Sequence, residues 1–267
     1  RAAEFKRSCR TRMTMEAVRR YENREFYIPW SFDYRGRAYP IPAFLTPQDT
    51  DFGKSLLQFA DEAPADSVEK WLAFQVATSY GLDKATMEER LDWTRDNHSL
   101  LAAIAGDPIA FLGHWEAAEE PWQFLAACEE YYHCCIQRDR DTTSLPVATD
   151  ATCSGLQILA GLARDKSTAT LVNVVPSDKP QDAYAKVAET ALSLGIPTNV
   201  HAVWDRKCVK RTVMTIPYNA KPFSNRSYIK DALKEKGIEV DKDDLTQIVN
   251  TVRQAMHLIV PGPMSVM

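Results

Sequence analysis

Apolar side chains recur every three or four residues along much of the chain, which is the spacing of one face of an α-helix. The helices predicted in this way cover a block from about residue 64 to 140, and residues 181–194, 203–216 and 243–259. Pro108 and Pro121 divide the long block into separate helices, because proline interrupts helical hydrogen bonding. The aromatic and methionine stripes of this block, which include Trp71, Met87 and Trp122, predict core positions.

The first fifty residues follow a different pattern. Residues 10–24 predict a basic helix. Residues 28–50 contain four prolines and therefore predict extended chain and turns. With a short apolar run near residue 147, the whole pattern predicts a helix-rich α/β fold with few strands.

Composition narrows the class of protein further. The chain has 267 residues, of which 45% are apolar and 25% charged, values that argue against disorder. No apolar run approaches the ~18 residues of a membrane span, so no membrane partner is expected. Six cysteines without a CxxC pair favour free thiols in a reducing compartment over a disulfide framework.

The net charge of −4 conceals a strong asymmetry along the chain. Residues 1–24 contain eight Lys or Arg and three Glu, and residues 206–236 contain nine Lys or Arg and two acidic residues. Residues 61–140 contain sixteen acidic and six basic residues. Two basic segments around an acidic block predict a polyanion-binding surface on one part of the molecule, unless the charges only coat solvated helices.

Asp150 follows the apolar run Leu145–Thr149, which has the length of a strand. Ser154 and Gln157 match a capping box, which predicts a helix from near residue 155 to about residue 164. A carboxylate at the end of a strand lies where α/β folds bind ligands, and Mg²⁺ takes one or two carboxylates together with phosphates. Asp150 is therefore either a magnesium ligand or a residue that accepts turn hydrogen bonds or caps the following helix.

A second constellation lies on the predicted helix 203–216 and just beyond it. Its members recur at intervals of four residues: Arg206, Lys210, Met214 and Tyr218. This interval places them on one slowly slanting stripe, where an Arg fork and a Lys point charge suit phosphate oxygens. Arg211 lies on the neighbouring face and is a candidate for nucleic-acid backbone contact. The alternative is a solvated basic face with Met214 and Tyr218 tucked inward.

A third constellation is the segment Phe32–Tyr39, in extended chain. Arg35 and Arg37 flank Gly36 and, at strand spacing, point the same way. Glycine permits close approach of the backbone to a ligand. The segment is thus either a clamp on nucleic acid or a loop stiffened by an Asp33–Arg37 ion pair.

Together the three segments resemble the single-subunit RNA polymerases, the bacteriophage T7-like and mitochondrial family. Residues 33–39 (Asp-Tyr-Arg-Gly-Arg-Ala-Tyr) resemble its DxxGR element, residues 145–157 resemble its motif A, and residues 206–218 resemble its motif B, in the same order. The resemblance covers most of residues 10–230. It implies a right-hand polymerase fold, with the end of the thumb at 1–27, the palm at 28–178 (helical insertion at about 64–140) and incomplete fingers at 179–267.

The resemblance also implies roles for individual residues. Asp150, assisted by the carbonyl of Ala151, corresponds to a ligand of the two catalytic Mg²⁺ ions. Arg206 and Lys210 correspond to residues that hold the incoming ribonucleoside triphosphate, and Tyr218 to the tyrosine that distinguishes ribose from deoxyribose. The residues that correspond to contacts on the DNA template and RNA transcript are Asp33, Arg35 and Arg37.

Four features depart from the family pattern. No His-Asp pair of motif C is present, so a C-terminal palm segment, or a chain that supplies it, is expected as a partner. The promoter-binding N-terminal domain is also expected to be missing. Asn219 replaces the glycine that usually follows the tyrosine, and Pro217, which cannot donate to Val213, is expected to loosen the helix around Tyr218.

Two other functions compete with RNA synthesis. A related A-family DNA polymerase shares the strand aspartate and the Arg-x3-Lys helix, but its motif continues with Tyr-Ser-Gln and Ile-Glu, whereas Ala-Thr-Cys-Ser-Gly follows Asp150 here. The chain alone is also expected to bind nucleic acid without polymerising, because it lacks a second metal-binding aspartate.

The acidic pI and compact motif spacing favour a phage enzyme in the cytoplasm of its host, with a mitochondrial or plastid enzyme as the alternative.

Overall fold

The computed structural model describes residues 2–34 and 36–267, and only the backbone of residues 2–4 and 7. The chain forms two compact units, Arg1–Thr149 and Asp150–Met267. The predicted helix-rich α/β character is confirmed, since helices dominate both units and the described strands are short. The predicted division into thumb, palm and fingers stays a prediction.

The first unit begins with a long basic helix, α1 (Ala2–Tyr21). Arg10 of α1 reaches the carboxylate of Asp49 at 2.6 Å, and the side chain of Asp49 is fully buried. Burial raises the pKa of Asp49, but hydrogen bonds from Arg10 and from the N–H groups of Thr50 and Leu45 outweigh it and lower the pKa. The loop before α2 (Asp51–Ser55) is therefore fastened to α1.

Between α1 and α2 the described residues form strands and turns, as the prolines predict. β1 (Trp30–Phe32) pairs antiparallel with β2 (Ala38–Pro40), with Trp30 opposite Pro40 and Phe32 opposite Ala38. Every residue of β1 is exposed. The described residues of the constellation at 32–39 all lie in this hairpin.

The predicted helical block is confirmed as a bundle of several helices. Its members are α3 (Ala65–Tyr80), α4 (Met87–Asp96), α5 (His98–Gly106), α6 (Leu112–Trp115), α7 (Pro121–Tyr131) and a π-helical turn, Tyr132–Gln137. Leu72, Val76, Leu101 and Phe124 lie fully buried at its centre. The prediction that whole aromatic stripes are core is wrong in part, because Trp122 is 43% exposed and packs edgewise on Phe52.

The predicted strand Leu145–Thr149 is wrong. The strand nearby is β4 (Thr142–Thr143), which pairs with β3 (Ala63–Pro64). Residues 145–149 run as irregular chain, because their backbone turns to side-chain acceptors: Leu145 N–H donates to Thr143 Oγ1 and Ala148 N–H to Gln75 Oε1. A strand requires backbone partners along its length, and none of the described residues supplies them here.

The second unit is helical throughout its described elements. They are α8 (Ser154–Leu162), α9 (Lys166–Leu171), α10 (Ala183–Leu194), a 3₁₀ turn (Thr198–Val203), α11 (Arg206–Thr215), a 3₁₀ turn (Ile216–Tyr218), α12 (Pro222–Glu235), α13 (Lys242–Ile259) and α14 (Pro261–Val266). Its core is formed by the apolar faces of α10 to α13, with Val187, Val213, Ile229 and Val252 fully buried.

The helix α8 is present where the sequence predicts it, but the predicted capping box is wrong. Cys153, in a left-handed conformation (φ 57°), precedes the helix and makes no side-chain cap. Gln157 instead donates from Nε2 to the carbonyl of Val172 at 2.8 Å, which ties α8 to the end of α9.

No helix among residues 2–34 and 36–267 combines the length and the apolar character that crossing a membrane requires.

Candidate functional site

Asp150 is exposed at the start of the second unit. Its Oδ1 accepts the N–H of Ala151 at 2.8 Å, so the carboxylate stabilises the turn that follows. Among the residues that the structure describes, none donates to Oδ2. One oxygen of this carboxylate thus serves the backbone while the other is available to a ligand.

The turn after Asp150 is anchored by Cys153. A positive φ is uncommon for a residue other than glycine, and such conformations concentrate at functional sites. Burial raises the pKa of the Cys153 thiol, and a hydrogen bond with Tyr184 of α10 opposes that rise. The turn is therefore held against the first turn of α10.

α11 presents the basic stripe from a firmly packed helix. Asp205 caps its N-terminus by accepting the N–H groups of Lys207 and Cys208, and its second oxygen lies 2.6 Å from the ammonium of Lys236. Val209 and Val213 are fully buried on the inner face. The predicted inward packing of Val213 is confirmed, and so is that of Ile216, which is 3% exposed.

The outer face of α11 carries the residues singled out by the four-residue interval. Lys210 is exposed, Met214 is 45% exposed and Tyr218, in the next turn, is 59% exposed. The alternative in which Met214 and Tyr218 tuck inward is thus wrong. Arg211 is also exposed, and its guanidinium carbon lies 4.3 Å from the ring centroid of Tyr228 on α12.

Arg206 differs from the other members of the stripe because it is half-buried and engaged. Its Nε lies 2.8 Å from Asp182 Oδ2, an ion-pair contact without the angle of a hydrogen bond. Its guanidinium carbon lies 5.4 Å from the ring centroid of Tyr184. Burial, together with the hydrogen bond to Cys153, raises the pKa of Tyr184, so this ring remains a neutral phenol.

The C-terminal end of α11 loosens as Pro217 predicts: the helix gives way to the 3₁₀ turn that contains Tyr218. A Cβ added to Gly155 of α8 would lie 3.2 Å from Pro217 Cβ and 3.4 Å from the Tyr218 hydroxyl. Glycine at this position therefore permits the close approach of Tyr218 to α8. Asn219 adopts a left-handed conformation (φ 64°), which asparagine tolerates better than most residues and which explains why it can stand where the family has glycine.

The segment that follows Asp150 thus lies near both ends of the stripe, Arg206 at one end and Tyr218 at the other. Cys153 contacts Tyr184, over which Arg206 lies, and Gly155 faces Tyr218. This is the part of the predicted constellation that the structure brings together.

In the hairpin of the first unit, Asp33 and Arg37 are joined through the backbone. Asp33 N–H donates to the Arg37 carbonyl at 2.9 Å, and Arg37 N–H donates to Asp33 Oδ1 at 3.0 Å. Gly36 takes a positive φ of 78° to close the turn. Arg35 lies outside the described residues. The stiffening role of Asp33 is thus visible, and the nucleic-acid contacts of Asp33, Arg35 and Arg37 stay predictions.

Asp150 and its neighbours could supply one protein ligand to a hard cation, but they do not form a complete coordination shell. Within residues 2–34 and 36–267, no group of three His, Cys, Asp or Glu side chains is arranged to hold a metal ion. Mg²⁺ commonly keeps waters and substrate phosphates and takes only one or two carboxylates. The exposed Asp150 carboxylate and the adjacent carbonyl of Ala151 are compatible with that mode.

Sequence reasoning missed two residues of this site, Asp182 and Tyr184. The apolar spacing of residues 181–194 predicts Tyr184 on the buried face of that helix, where it lies, but gives no sign of its contact with Arg206. Asp182 caps α10 by accepting the N–H groups of Tyr184 and Ala185, and an Asp directly before an apolar-periodic helix signals such a cap. That the same carboxylate reaches Arg206 is a tertiary contact that spacing does not reveal.

The sequence matches known proteins over the same region. The family profile of DNA-dependent RNA polymerases matches residues 65–262. The mitochondrial DNA-directed RNA polymerase of Neurospora crassa is 36% identical over 234 residues, which cover 83% of this chain and 16% of the relative. The mitochondrial DNA-directed RNA polymerase 1B of Nicotiana tabacum is 32% identical, and the chloroplastic DNA-directed RNA polymerase 3 of Nicotiana sylvestris 33% identical, each over 89% of this chain and 26% of the relative.

The chain belongs to the DNA-dependent RNA polymerase family. It spans about a sixth to a quarter of the length of these relatives. The A-family DNA polymerase alternative is thereby set aside.

Proposed function

We propose that this chain provides part of the nucleotide-addition centre of a DNA-directed RNA polymerase, which extends an RNA transcript along a DNA template. The observation that carries the proposal is the outer face of α11, where Lys210, Met214 and Tyr218 are exposed above a buried inner face. The family match and the names of the relatives support the reaction class.

In this proposal the two cations of the stripe bind the triphosphate of the incoming ribonucleotide. Arg206 offers a planar fork and Lys210 a mobile point charge, and together they stabilise charge that develops on the phosphates during transfer. Met214 lies between Lys210 and Tyr218 on the same face and contacts the nucleotide there. Tyr218, held close to Gly155, shapes the pocket for the ribose.

Asp150 and the carbonyl of Ala151 hold Mg²⁺. When bound, a pair of such ions supplies stabilisation of the attacking and leaving oxygens in an in-line displacement. Oδ1 of Asp150 already accepts the N–H of Ala151, so the turn itself orients the carboxylate and leaves Oδ2 for the metal.

The nucleic acid contacts come from Asp33, Arg35 and Arg37 of the hairpin and from Arg211 of α11. Contacts of this type fall mainly on phosphates and set position rather than sequence preference. The aromatic ring of Tyr228 beneath Arg211 restricts the guanidinium and leaves its outer edge toward solvent.

We infer that the isolated chain binds nucleotides and nucleic acid but does not extend a primer. One exposed carboxylate does not hold two Mg²⁺ ions in the geometry of in-line displacement, and a further palm segment would complete the ligand set.

The relatives named above are mitochondrial or chloroplastic polymerases, which favours an organelle-type enzyme; a phage enzyme in host cytoplasm finds no support among those names.

The proposal is tested by the binding of ATP to this chain in the presence of Mg²⁺. Lys210→Ala is expected to weaken binding about tenfold, since it removes a charge-assisted phosphate contact. Lys207→Ala is the matched control: Lys207 is also exposed on α11, but on the neighbouring face, and its loss should change affinity less than about twofold.

A second measurement addresses the ribose. Tyr218→Phe is expected to reduce the preference for ATP over dATP while leaving the affinity for tripolyphosphate unchanged. Equal losses in Lys210→Ala and Lys207→Ala would show a diffuse basic surface and contradict the nucleotide site. Primer extension by the isolated chain would contradict the incomplete metal site.

A further inference from the structure

The N-terminus of α10 and the N-terminus of α11 meet through a single carboxylate. Asp182 Oδ1 accepts the N–H groups of Tyr184 and Ala185 at 2.9 and 3.1 Å. Asp182 Oδ2 lies 2.8 Å from Nε of Arg206. Both carboxylate oxygens of Asp182 therefore have a partner: one caps α10, and the other contacts Arg206, the first residue of α11.

The guanidinium of Arg206 is restrained on two sides by the same helix end. The Asp182 carboxylate lies at its Nε edge, and the ring of Tyr184 lies at 5.4 Å from its central carbon. Nε itself is buried from solvent. Trp204, two residues earlier, donates from its indole to the carbonyl of Ala188, which fastens the start of α11 to α10 one turn further along.

This arrangement leaves the outer edge of the guanidinium for a ligand. Among the described residues, none accepts a hydrogen bond from either Nη group of Arg206. The side chain is 30% exposed, so these groups are reachable. An Arg that is held through Nε still offers its two Nη donors as a pair to phosphate oxygens.

We infer that Asp182 is a positioning residue, which orients Arg206 for the triphosphate and so strengthens triphosphate binding without contacting it. This inference rests on the proposed function, in which Arg206 binds the triphosphate. An unrestrained Arg loses considerable rotamer freedom when it binds a phosphate, and an Arg already restrained by Asp182 and Tyr184 loses less.

Whether the loss of the Asp182 carboxylate weakens or tightens triphosphate binding distinguishes a positioning role from a purely electrostatic one. Asp182 is an anion close to a cation of the site, so charge alone predicts that its removal tightens the binding of an anion. Positioning predicts the opposite. Asp182→Asn suits the test because the amide oxygen can still accept both cap hydrogen bonds while the negative charge is lost.

The experiment measures the binding of inorganic tripolyphosphate, with Mg²⁺, to this chain by titration calorimetry. Asp182→Asn is expected to raise the dissociation constant about three- to tenfold. Asp241→Asn is the matched control, since Asp241 caps α13 through the N–H groups of Asp243 and Asp244 in the same pattern. That control should change the constant by less than about twofold.

A double-mutant cycle shows whether Asp182 acts through Arg206. In the Arg206→Ala background, Asp182→Asn should change affinity by less than about twofold, because the residue to be positioned is gone. Circular dichroism of each variant checks folding. If Asp182→Asn does not fold, Asp182→Ser, which retains a capping acceptor without the carboxylate, replaces it.

The outcomes distinguish the inference from the function beneath it. If Arg206→Ala fails to weaken binding, or the unsubstituted chain does not bind tripolyphosphate, the proposed function is contradicted and the inference falls with it. If Arg206→Ala weakens binding but Asp182→Asn leaves it unchanged or tightens it, only the inference is overturned. An equal effect of Asp182→Asn with and without Arg206 also overturns it, by showing a general structural role.

Discussion

The hairpin at residues 30–40 and helix α11 each carry an arginine at the surface, Arg37 and Arg211, but the packing beneath the two elements differs. β1 is exposed along its whole length, and Phe32 is 77% exposed. α11 rests on Val209 and Val213, which are fully buried. The hairpin is therefore shaped by its own backbone hydrogen bonds, whereas α11 is positioned by the core of its unit.

The difference bears on what each region can do for a ligand. A helix fixed by a packed inner face presents its outer side chains in one register, which suits a site that must hold a triphosphate against a metal. A two-stranded hairpin without a packed face is marginal by itself and adapts to what it contacts. The packing therefore favours α11 as the element that holds the triphosphate. It favours the hairpin as an element that contacts the nucleic-acid backbone.

The largest expected effect comes from placing a carboxylate at an apolar position of each region, Val213 in α11 and Phe32 in the hairpin. Val213→Asp should destabilise the second unit by about 4 kcal/mol, because the carboxylate would be buried without a partner. Phe32→Asp should cost less than about 0.5 kcal/mol, since the position is already solvated. Urea unfolding followed by circular dichroism measures both. Comparable losses would show that the hairpin is packed as firmly as α11.

A smaller effect is expected where α8 approaches Tyr218. Gly161→Ala should stabilise α8 by about 0.5–1 kcal/mol, because nothing lies within 4 Å of the added Cβ and alanine favours helix. Gly155→Ala should gain less or lose stability, because the Cβ would meet Pro217 at 3.2 Å. It should also displace Tyr218 and lower the preference for ATP over dATP.

Thermal unfolding of the two glycine variants gives the stability difference, and competition between ATP and dATP gives the selectivity. An unchanged selectivity in Gly155→Ala would mean that the close approach of Tyr218 to α8 does not shape the ribose pocket. Gly161→Ala serves as the control, because it lies in the same helix away from Tyr218.

The sequence predicts which residues share a helix face better than it predicts the contacts made at and beyond the helix ends. The four-residue interval placed Lys210, Met214 and Tyr218 on one exposed face, since helical geometry alone determines that relation. The strand before Asp150 was wrong because a ladder depends on a partner elsewhere in the chain. An apolar run of five residues carries no information about that partner.

The same limit applies to the site. The likeness to motifs B and A predicts site roles for Arg206 and Asp150, which stay predictions, but it does not predict the carboxylate of Asp182 that lies against Arg206. Asp182 looks like a helix cap in the sequence and is one, and its second contact arises only from the packing of α10 against α11. The capping box at Ser154 was wrong for a similar reason, because Gln157 is drawn to the carbonyl of Val172.

The smallest expected effect compares single arginines of the two regions on nucleic acid. Arg37→Ala and Arg211→Ala should each reduce the slope of log affinity against log salt for single-stranded DNA by about 0.7, the value of one phosphate contact. Asp150→Ala should leave the slope unchanged and the affinity equal or slightly higher, because it removes a negative charge without removing a phosphate contact. Fluorescence anisotropy across a salt series measures all three. A reduced slope for Arg211→Ala alone would assign nucleic acid binding to the packed helix and withdraw the hairpin from the interface, whereas the reverse would withdraw Arg211.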